Sequence, residues 1–352
     1  MKLIFDNIVF CIQRMGGISV VWQELLQRAL IDPDLDCTIL DYDKGKNNIC
    51  RQSLHISNPI SLKARRMERY RTPDFHFSEK ALFHSSYFRV LQGSNIRNIT
   101  TVHDLTYHFY RKGPAKWVHL AEEHHALRHS AGVICVSENT KSDLLKLYPW
   151  LKEECIRVVY NGVGRNFEPQ PNAENEGYLL FVGNRAVNYK RLDIAIRVAQ
   201  LTHTPLVMIG GQLSQEEDRL LRQTLGEGMY KAVSNIPNEQ LSDFYNRALC
   251  LIYPSDYEGF GIPIIEAQKC GCPVIAQAVS SVPEVAGEAA LLFPHQATET
   301  MAQEMADAVR QLKNGTISRT ALQEAGLVNA QRFSWDHTYQ QTKEFYREIY
   351  NK

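Results

Sequence analysis

The stretch Glu258-Gly259-Phe260-Gly261-Ile262-Pro263-Ile264-Ile265-Glu266 follows the apolar run Cys250-Leu251-Ile252-Tyr253, which Pro254 and Ser255 close. The run reads as the end of a buried strand, and the stretch as its turn into a helix. Gly259 and Gly261 allow a sharp bend and close approach of a ligand to the backbone. Pro263 suits a first helical turn, where its missing N–H costs nothing. Such a turn aims free amides and the positive end of a helix at one point, a seat for phosphate. Glu258 at its mouth and Glu266 about one turn further in are poor neighbours for phosphate and are expected to bind hydroxyls. Phosphates and hydroxyls together describe a nucleotide sugar.

Outward from this turn, short apolar runs alternate with helical patterns, the signature of α/β architecture with parallel sheets. Strands are expected at 3–10, 38–40, 98–102, 133–136 and 156–159, then at 178–182, 205–209, 249–253, 274–276 and 290–293. Helices are expected at 19–30, 115–129 and 139–147 (capped by Ser137), at 192–200, 215–225, 238–247, 263–269 and 300–312, and finally at 318–332 and 335–350. The polar stretch 165–177, with two prolines and no periodicity, reads as a linker between two α/β units. Two such units form a cleft between the carboxyl ends of their strands, the edge at which open parallel sheets bind ligands.

The chain of 352 residues is long enough for two domains. Its 39 basic and 39 acidic residues cancel, so whole-molecule attraction to nucleic acid is not indicated. Eight scattered cysteines fit reduced, buried thiols in a cytoplasmic protein, and Cys270-Gly271-Cys272 has no second pair at metal-binding spacing. No segment reads as a signal peptide or a membrane span. Asn98 and Asn314 head chance matches to the glycosylation sequon.

Further polar residues fall at strand ends. Arg14-Met15-Gly16-Gly17-Ile18-Ser19 follows the first strand, and Gly16 and Gly17 there suit close approach by an anion. The Gly-x-Gly-x-x-Gly dinucleotide fingerprint is absent, which counts against a nicotinamide or flavin enzyme. Gly183-Asn184-Arg185 and Asn188-Tyr189-Lys190-Arg191 bring cations to the same sheet edge as the Glu258 turn, able to fork onto a diphosphate and to stabilise it on departure. His103-Asp104 ends a strand; the pair could orient a substrate or take a proton, and a polar turn is the plainer reading. His124, His125 and His129 read as surface helix. The run 63–71 carries five cations and one acid, a solvated basic segment or a contact for anionic lipid, with Arg111, Lys112, Lys116 and Trp117 as a second basic and aromatic edge.

Together these residues resemble the retaining glycosyltransferase family 4, of the two-domain GT-B architecture. The most specific stretch runs from Tyr257 to Glu266, through Gly271-Cys272-Pro273-Val274-Ile275-Ala276, to Ser281-Val282-Pro283-Glu284-Val285-Ala286-Gly287. The spacing of Arg185 and Lys190 is similar to that family's diphosphate pair. Gly16-Gly17-Ile18 and 102–107 are similar to members that build bacterial surface polysaccharides. Two departures stand out: Asn184 separates Gly183 from Arg185, where many members have Gly-Arg, and Arg191 follows Lys190, where Gly or Asn is common.

The resemblance implies two Rossmann-like domains facing across a cleft. An acceptor-side domain would span 1–165 and a nucleotide-sugar domain 166–334, with a helix at 335–352 returning to the first. Glu258 would bind the donor sugar's hydroxyls, the amides of Phe260, Gly261 and Ile262 the sugar and distal phosphate, and Glu266 the ribose. Arg185 and Lys190 would neutralise the diphosphate, Gly17 would approach it from the other domain, and His103 would lie beside the transferred sugar. Base recognition would fall near 234–237. No metal or other cofactor is implied. The reaction would be transfer from a nucleotide sugar, with an inclination towards GDP-mannose, to a polysaccharide or lipid-linked acceptor. A nucleotide-sugar-binding regulatory protein and an epimerase of the same architecture are the alternatives.

Overall fold

A computed structural model describes every residue of the chain except Arg14, Met15 and Asn235. The chain divides into two compact units, Met1–Gly162 with Trp335–Lys352, and Val163–Ser334. The first unit carries β1 (Lys2–Asp6), β2 (Asp36–Tyr42), β3 (Ile60–Leu62), β4 (Ala81–Ser85), β5 (Ile96–Val102), β6 (Ser130–Cys135) and β7 (Ile156–Val158), in the order β3-β2-β1-β4-β5-β6-β7. The second carries β8 (Leu179–Val182), β9 (Leu206–Gly210), β10 (Tyr230–Ser234), β11 (Cys250–Tyr253), β12 (Val274–Gln277) and β13 (Leu291–Phe293), in the order β10-β9-β8-β11-β12-β13. Every pairing is parallel. Each sheet reverses its winding beside its first strand, between β1 and β4 and between β8 and β11. Such a reversal opens a crevice outside the carboxyl ends of the strands.

In the second unit Leu179, Phe181, Ile252 and Ile275 pack with Ile194 and Val198 of the helix Leu192–Thr202 and with Met301, Met305 and Val309 of the helix Thr298–Lys313. The apolar spacing of both helices turns one face onto the sheet. Gln215–Leu225 and Asn238–Arg247 form as expected, the first closed by a capping box between Ser214 and Glu217.

Three strands were not expected from the sequence. β4 has only Ala81, Leu82 and Phe83 as an apolar signal before His84, yet all five of its residues are buried. β3 is a three-residue edge strand, and β10 interrupts its apolar residues with Lys231. The stretch 165–177 is not a free linker. Phe167 is buried against Tyr245 with ring centroids 6.0 Å apart, Gln170 N–H donates to Asn246 Oδ1 at 2.7 Å, and Glu176 N–H donates to the Arg247 carbonyl at 2.9 Å. It is strapped to the helix Asn238–Arg247.

The run 63–71 is likewise only partly solvated. Glu68 is buried and accepts from Arg89 at 3.2 Å, while Arg89 also bonds Asp6 at 3.1 Å and Tyr42 Oη at 2.9 Å. Arg69 lies over the rings of Tyr70 and Tyr87, leaving Lys63, Arg66 and Arg71 exposed. The eight cysteines are unpaired. Asn98, in the sequon, is turned inward and bonds Leu91 on both its N–H and its carbonyl.

The helix Trp335–Asn351 belongs to the first unit, where Tyr339, Phe345, Tyr346 and Ile349 join the core of Leu3, Phe5, Trp22 and Ile134. Tyr346 Oη lies 2.6 Å from His84 Nδ1, and Lys343 pairs with Asp32 at 2.6 Å and Asp34 at 2.7 Å. Gly132 on β6 makes the docking possible, since a Cβ there would stand 2.8 Å from Phe345 Cζ and 2.9 Å from Ile349. Gly132→Val is therefore expected to lower unfolding stability by roughly 1–3 kcal/mol, the usual penalty of overpacking. Urea denaturation would check it, and Phe345→Leu in the same chain should recover part of the loss.

Candidate active site

The neighbouring strands β8 and β11 bring two distant loops together at the reversal point of the second unit. The loop after β8 carries Arg185 and, in the 3-10 turn Asn188–Lys190, Lys190; the loop after β11 carries Glu258. Lys190 Nζ donates to both carboxylate oxygens of Glu258, at 2.6 and 2.8 Å. Both side chains are largely buried, 15 and 10 % exposed. The ammonium also stands 5.7 and 5.6 Å from the ring centroids of Tyr189 and Tyr253, faces that favour a cation.

The Glu258 turn is pinned from the end of β12. Glu258 N–H donates to Ser280 Oγ at 2.8 Å, and Ser281 Oγ donates to the carbonyls of Glu258 and Phe260 at 3.0 and 2.9 Å. Gly261 is left-handed (φ 101°, ψ 49°) and opens the helix Ile262–Lys269, a conformation a residue with a Cβ adopts at a cost of roughly 1–2 kcal/mol. Phe260 is buried with its ring edge-on to Phe333, and Ile262 heads the positive end of the helix. Ser280 and Ser281 were given no role from the sequence; two serines directly after a strand end were the available signal.

Arg185 is also buried, 2 % exposed, but turns towards β9. Its Nη2 donates to the Gly211 carbonyl at 2.5 Å, and its Nε lies 3.6 Å from Glu217 Oε1. Two of its nitrogens, Nε and Nη1, are buried without a hydrogen-bond partner among the described residues, donors held away from water. Arg191, largely buried like Lys190, is bonded to Asp193, Asp256 and Thr298. The three cations expected at one sheet edge thus have four different acidic partners: Glu217 for Arg185, Glu258 for Lys190, and Asp193 with Asp256 for Arg191.

Glu266, on the helix Ile262–Lys269, accepts from Tyr245 Oη at 2.9 Å. Burial pushes its carboxyl up to about 7, and the Tyr245 hydrogen bond offsets this only in part.

In the first unit, Gly16 has extended backbone and Gly17 begins the helix Gly17–Ala29. A Cβ on Gly17 would meet nothing within 4 Å, so the approach to its backbone is open. Arg14 and Met15 of that motif, and Asn235 of 234–237, lie outside the described residues. His103 follows β5, and burial lowers its imidazole to about 4, only partly opposed by Asp104, so the ring is neutral at physiological pH. Asp104 does not orient it: Asp104 Oδ1 accepts from Thr106 N–H at 2.9 Å and Thr106 Oγ1 at 2.5 Å, which starts the helix Thr106–Tyr110. Among the described residues no cluster of three or more His, Cys, Asp or Glu is placed to hold a metal ion.

A pH dependence follows from Glu266. Between about 4.5 and 7 the unfolded chain releases this proton while the native carboxyl keeps it. Its contribution to stability therefore falls as pH rises through that window. Glu266→Gln should abolish this component, so the stability difference between wild type and variant should change between pH 4.5 and 7.5 and be level above. Urea unfolding across that range would measure it.

Residues 41–166 match the family described as Glycosyltransferase Family 4, and residues 164–327 that described as Glycosyl transferases group 1. The chain is 27% identical over 279 residues to the O-antigen chain mannosyltransferase B of Escherichia coli, covering 71% of this chain and 70% of that protein. It is 26% identical to an uncharacterized glycosyltransferase of Methanocaldococcus jannaschii, covering 99% of each. Its fold is similar to that of sucrose-phosphate synthase from Thermosynechococcus elongatus, with a TM-score of 0.78 at 20% identity over 100% of this chain and 99% of that one. It is also similar to a glycosyltransferase involved in lipopolysaccharide biosynthesis, with a TM-score of 0.69 at 13% identity over 99% of each. With two parallel Rossmann-like sheets and these matches following one another along the sequence, the chain belongs to the family 4 glycosyltransferases of GT-B architecture.

Proposed function

We propose that this protein is a retaining, metal-independent glycosyltransferase that moves a sugar from a nucleoside diphosphate donor to a polysaccharide or lipid-linked acceptor. The observation that carries this reading is the Lys190–Glu258 pair at the reversal point, with the Arg185 guanidinium in the same loop. An ammonium has three N–H donors. Glu258 takes two of them, and the third can turn to a phosphate oxygen. Glu258 keeps lone pairs for sugar hydroxyls, and the amides of Phe260, Gly261 and Ile262 face the distal phosphate. Glu266 accepts from the ribose. Arg185 and Lys190 gather the charge that appears on the departing diphosphate, the electrostatic help such a leaving group needs. That phosphate accepts the proton of the incoming hydroxyl on the face it leaves. In the first unit, Gly17 offers open backbone suited to an anion and His103 a neutral imidazole suited to a sugar hydroxyl. The name of the Escherichia coli relative supports a mannose donor and a glycan acceptor.

Incubation with GDP-mannose, UDP-glucose and UDP-N-acetylglucosamine should raise the melting temperature with one donor above the others, by mass action. That donor should then be consumed with acceptor present and EDTA added. Glu258→Ala and Lys190→Ala are expected to lower turnover by two or more orders of magnitude while the chain still folds. Normal transfer by both would overturn these roles.

We further propose that the protein works at the cytoplasmic face of a membrane without crossing it. No helix among the described residues is long and apolar enough to span one. Phe109, Tyr110, Trp117 and Val118 are exposed, Trp117 by 70%, beside exposed Arg111 and Lys112. Aromatic side chains with flanking cations suit an anionic bilayer surface. Sedimentation with phosphatidylglycerol vesicles should retain wild type and lose most of a Trp117→Ser/Lys112→Ser variant. Equal sedimentation would exclude this face.

A further inference from the structure

Arg191 is the residue that the donor-handling roles leave unused, and its environment is unusual. Its backbone is left-handed (φ 51°, ψ 48°), a region that disfavours any side chain with a Cβ. Every nitrogen of its guanidinium is engaged. Nε and Nη2 bond Asp193, Nη1 donates to Asp256 Oδ1 at 3.1 Å, and Nη2 donates to Thr298 Oγ1 at 2.6 Å. Asp256 in turn donates its backbone N–H to the Tyr189 carbonyl at 2.7 Å.

These contacts have a direction. Arg191 directly follows Lys190, and Asp256 stands two residues before Glu258. Two bonds, one through side chains and one through backbone, therefore cross between the loop of the cation and the loop of the acid. Thr298 adds a third fixed point, because it begins the helix Thr298–Lys313, which is anchored in the core through Met301, Met305 and Val309. A planar guanidinium forks its five N–H donors onto such partners in one fixed plane, a geometry the point charge of an ammonium lacks.

We infer that Arg191 is a positioning residue, a brace that sets the separation of Lys190 from Glu258. It rests on the reading of Lys190 and Glu258 as donor-handling groups. On this reading Arg191 acts through these loops and not on the diphosphate, its Nε, Nη1 and Nη2 each already holding Asp193, Asp256 or Thr298.

The test uses the full chain and three probes, inorganic pyrophosphate, GDP and UDP, with affinities measured by calorimetry and melting temperatures alongside. Asn is the replacement at 191 because it tolerates left-handed backbone. Arg191→Asn and Asp256→Asn should each weaken the tightest-binding probe about tenfold, as small misplacements of binding groups do, and the double variant should be no weaker than either. Melting temperatures should stay within about 4 °C of wild type. Asp193→Asn, which removes only the partner on the following helix, should leave affinity unchanged. Unchanged affinity in Arg191→Asn, an additive double variant, or melting temperatures that collapse with affinity would each overturn the brace. So would weak binding by Arg191→Asn beside normal binding by Asp256→Asn, for then Arg191 contacts the ligand directly. If wild type binds none of the probes, the nucleotide-sugar reading fails and the brace falls with it.

Discussion

An ammonium and a carboxylate 2.6 Å apart at the mouth of a parallel sheet set the requirements that the second unit's loops satisfy. Neither Lys190 nor Glu258 could be kept this far from water alone, because an uncompensated buried charge is strongly destabilising. Paired, they hold a polar centre in a half-closed site where field effects are larger than in water. The pair exists only because β8 and β11 are neighbours in the sheet while their loops are far apart in the chain. Everything around it serves to keep two loops in register: Ser280 and Ser281 on one side, Tyr253 beneath, and the cross-bonds of Asp256 on the other.

The same arrangement explains how a cation-rich edge stays stable. Each positive group has an acid at hand: Glu258 and Asp256 from the β11 loop, and Glu217 from the helix Gln215–Leu225. Arg185 keeps two buried nitrogens, Nε and Nη1, without a hydrogen-bond partner among the described residues, while Lys190 gives two bonds to Glu258. On the proposed reading a diphosphate would compete with the carboxylates already in place, so loop geometry would carry much of its affinity.

Much of this was legible in the sequence because local chemistry and fold agreed. The Glu258 turn, the helix at Ile262 and the cap at Ser137 follow from glycine, proline and serine acting within a few residues. Partnerships across the sheet were not legible. Nothing local says that Lys190 meets Glu258 while Arg185 swings to Gly211, since that depends on strand order. β4 was missed because burial on all sides removes the alternation that marks a strand, and His84 broke the short apolar run. The stretch 165–177 read as a linker because its prolines and amides mimic one, yet Phe167 and Asn246 hold it down. For His103-Asp104 the plainer reading was a polar turn, and Asp104 makes one by accepting from the Thr106 N–H.

Position 191 shows the balance between backbone freedom and side-chain reach. A left-handed residue after Lys190 is what the local turn requires, a conformation that Gly or Asn adopts more readily than arginine. Glycine would relax the backbone but leave Asp256 and Thr298 with nothing between them. Arginine keeps the strain and replaces freedom with a fixed connection to both loops and to the helix Thr298–Lys313. The strain is tolerable because the guanidinium bonds Asp193, Asp256 and Thr298, so the turn is held by its side chain rather than by its backbone preference. Arg191 thus joins the loop of Lys190 to the loop of Glu258 through Asp256.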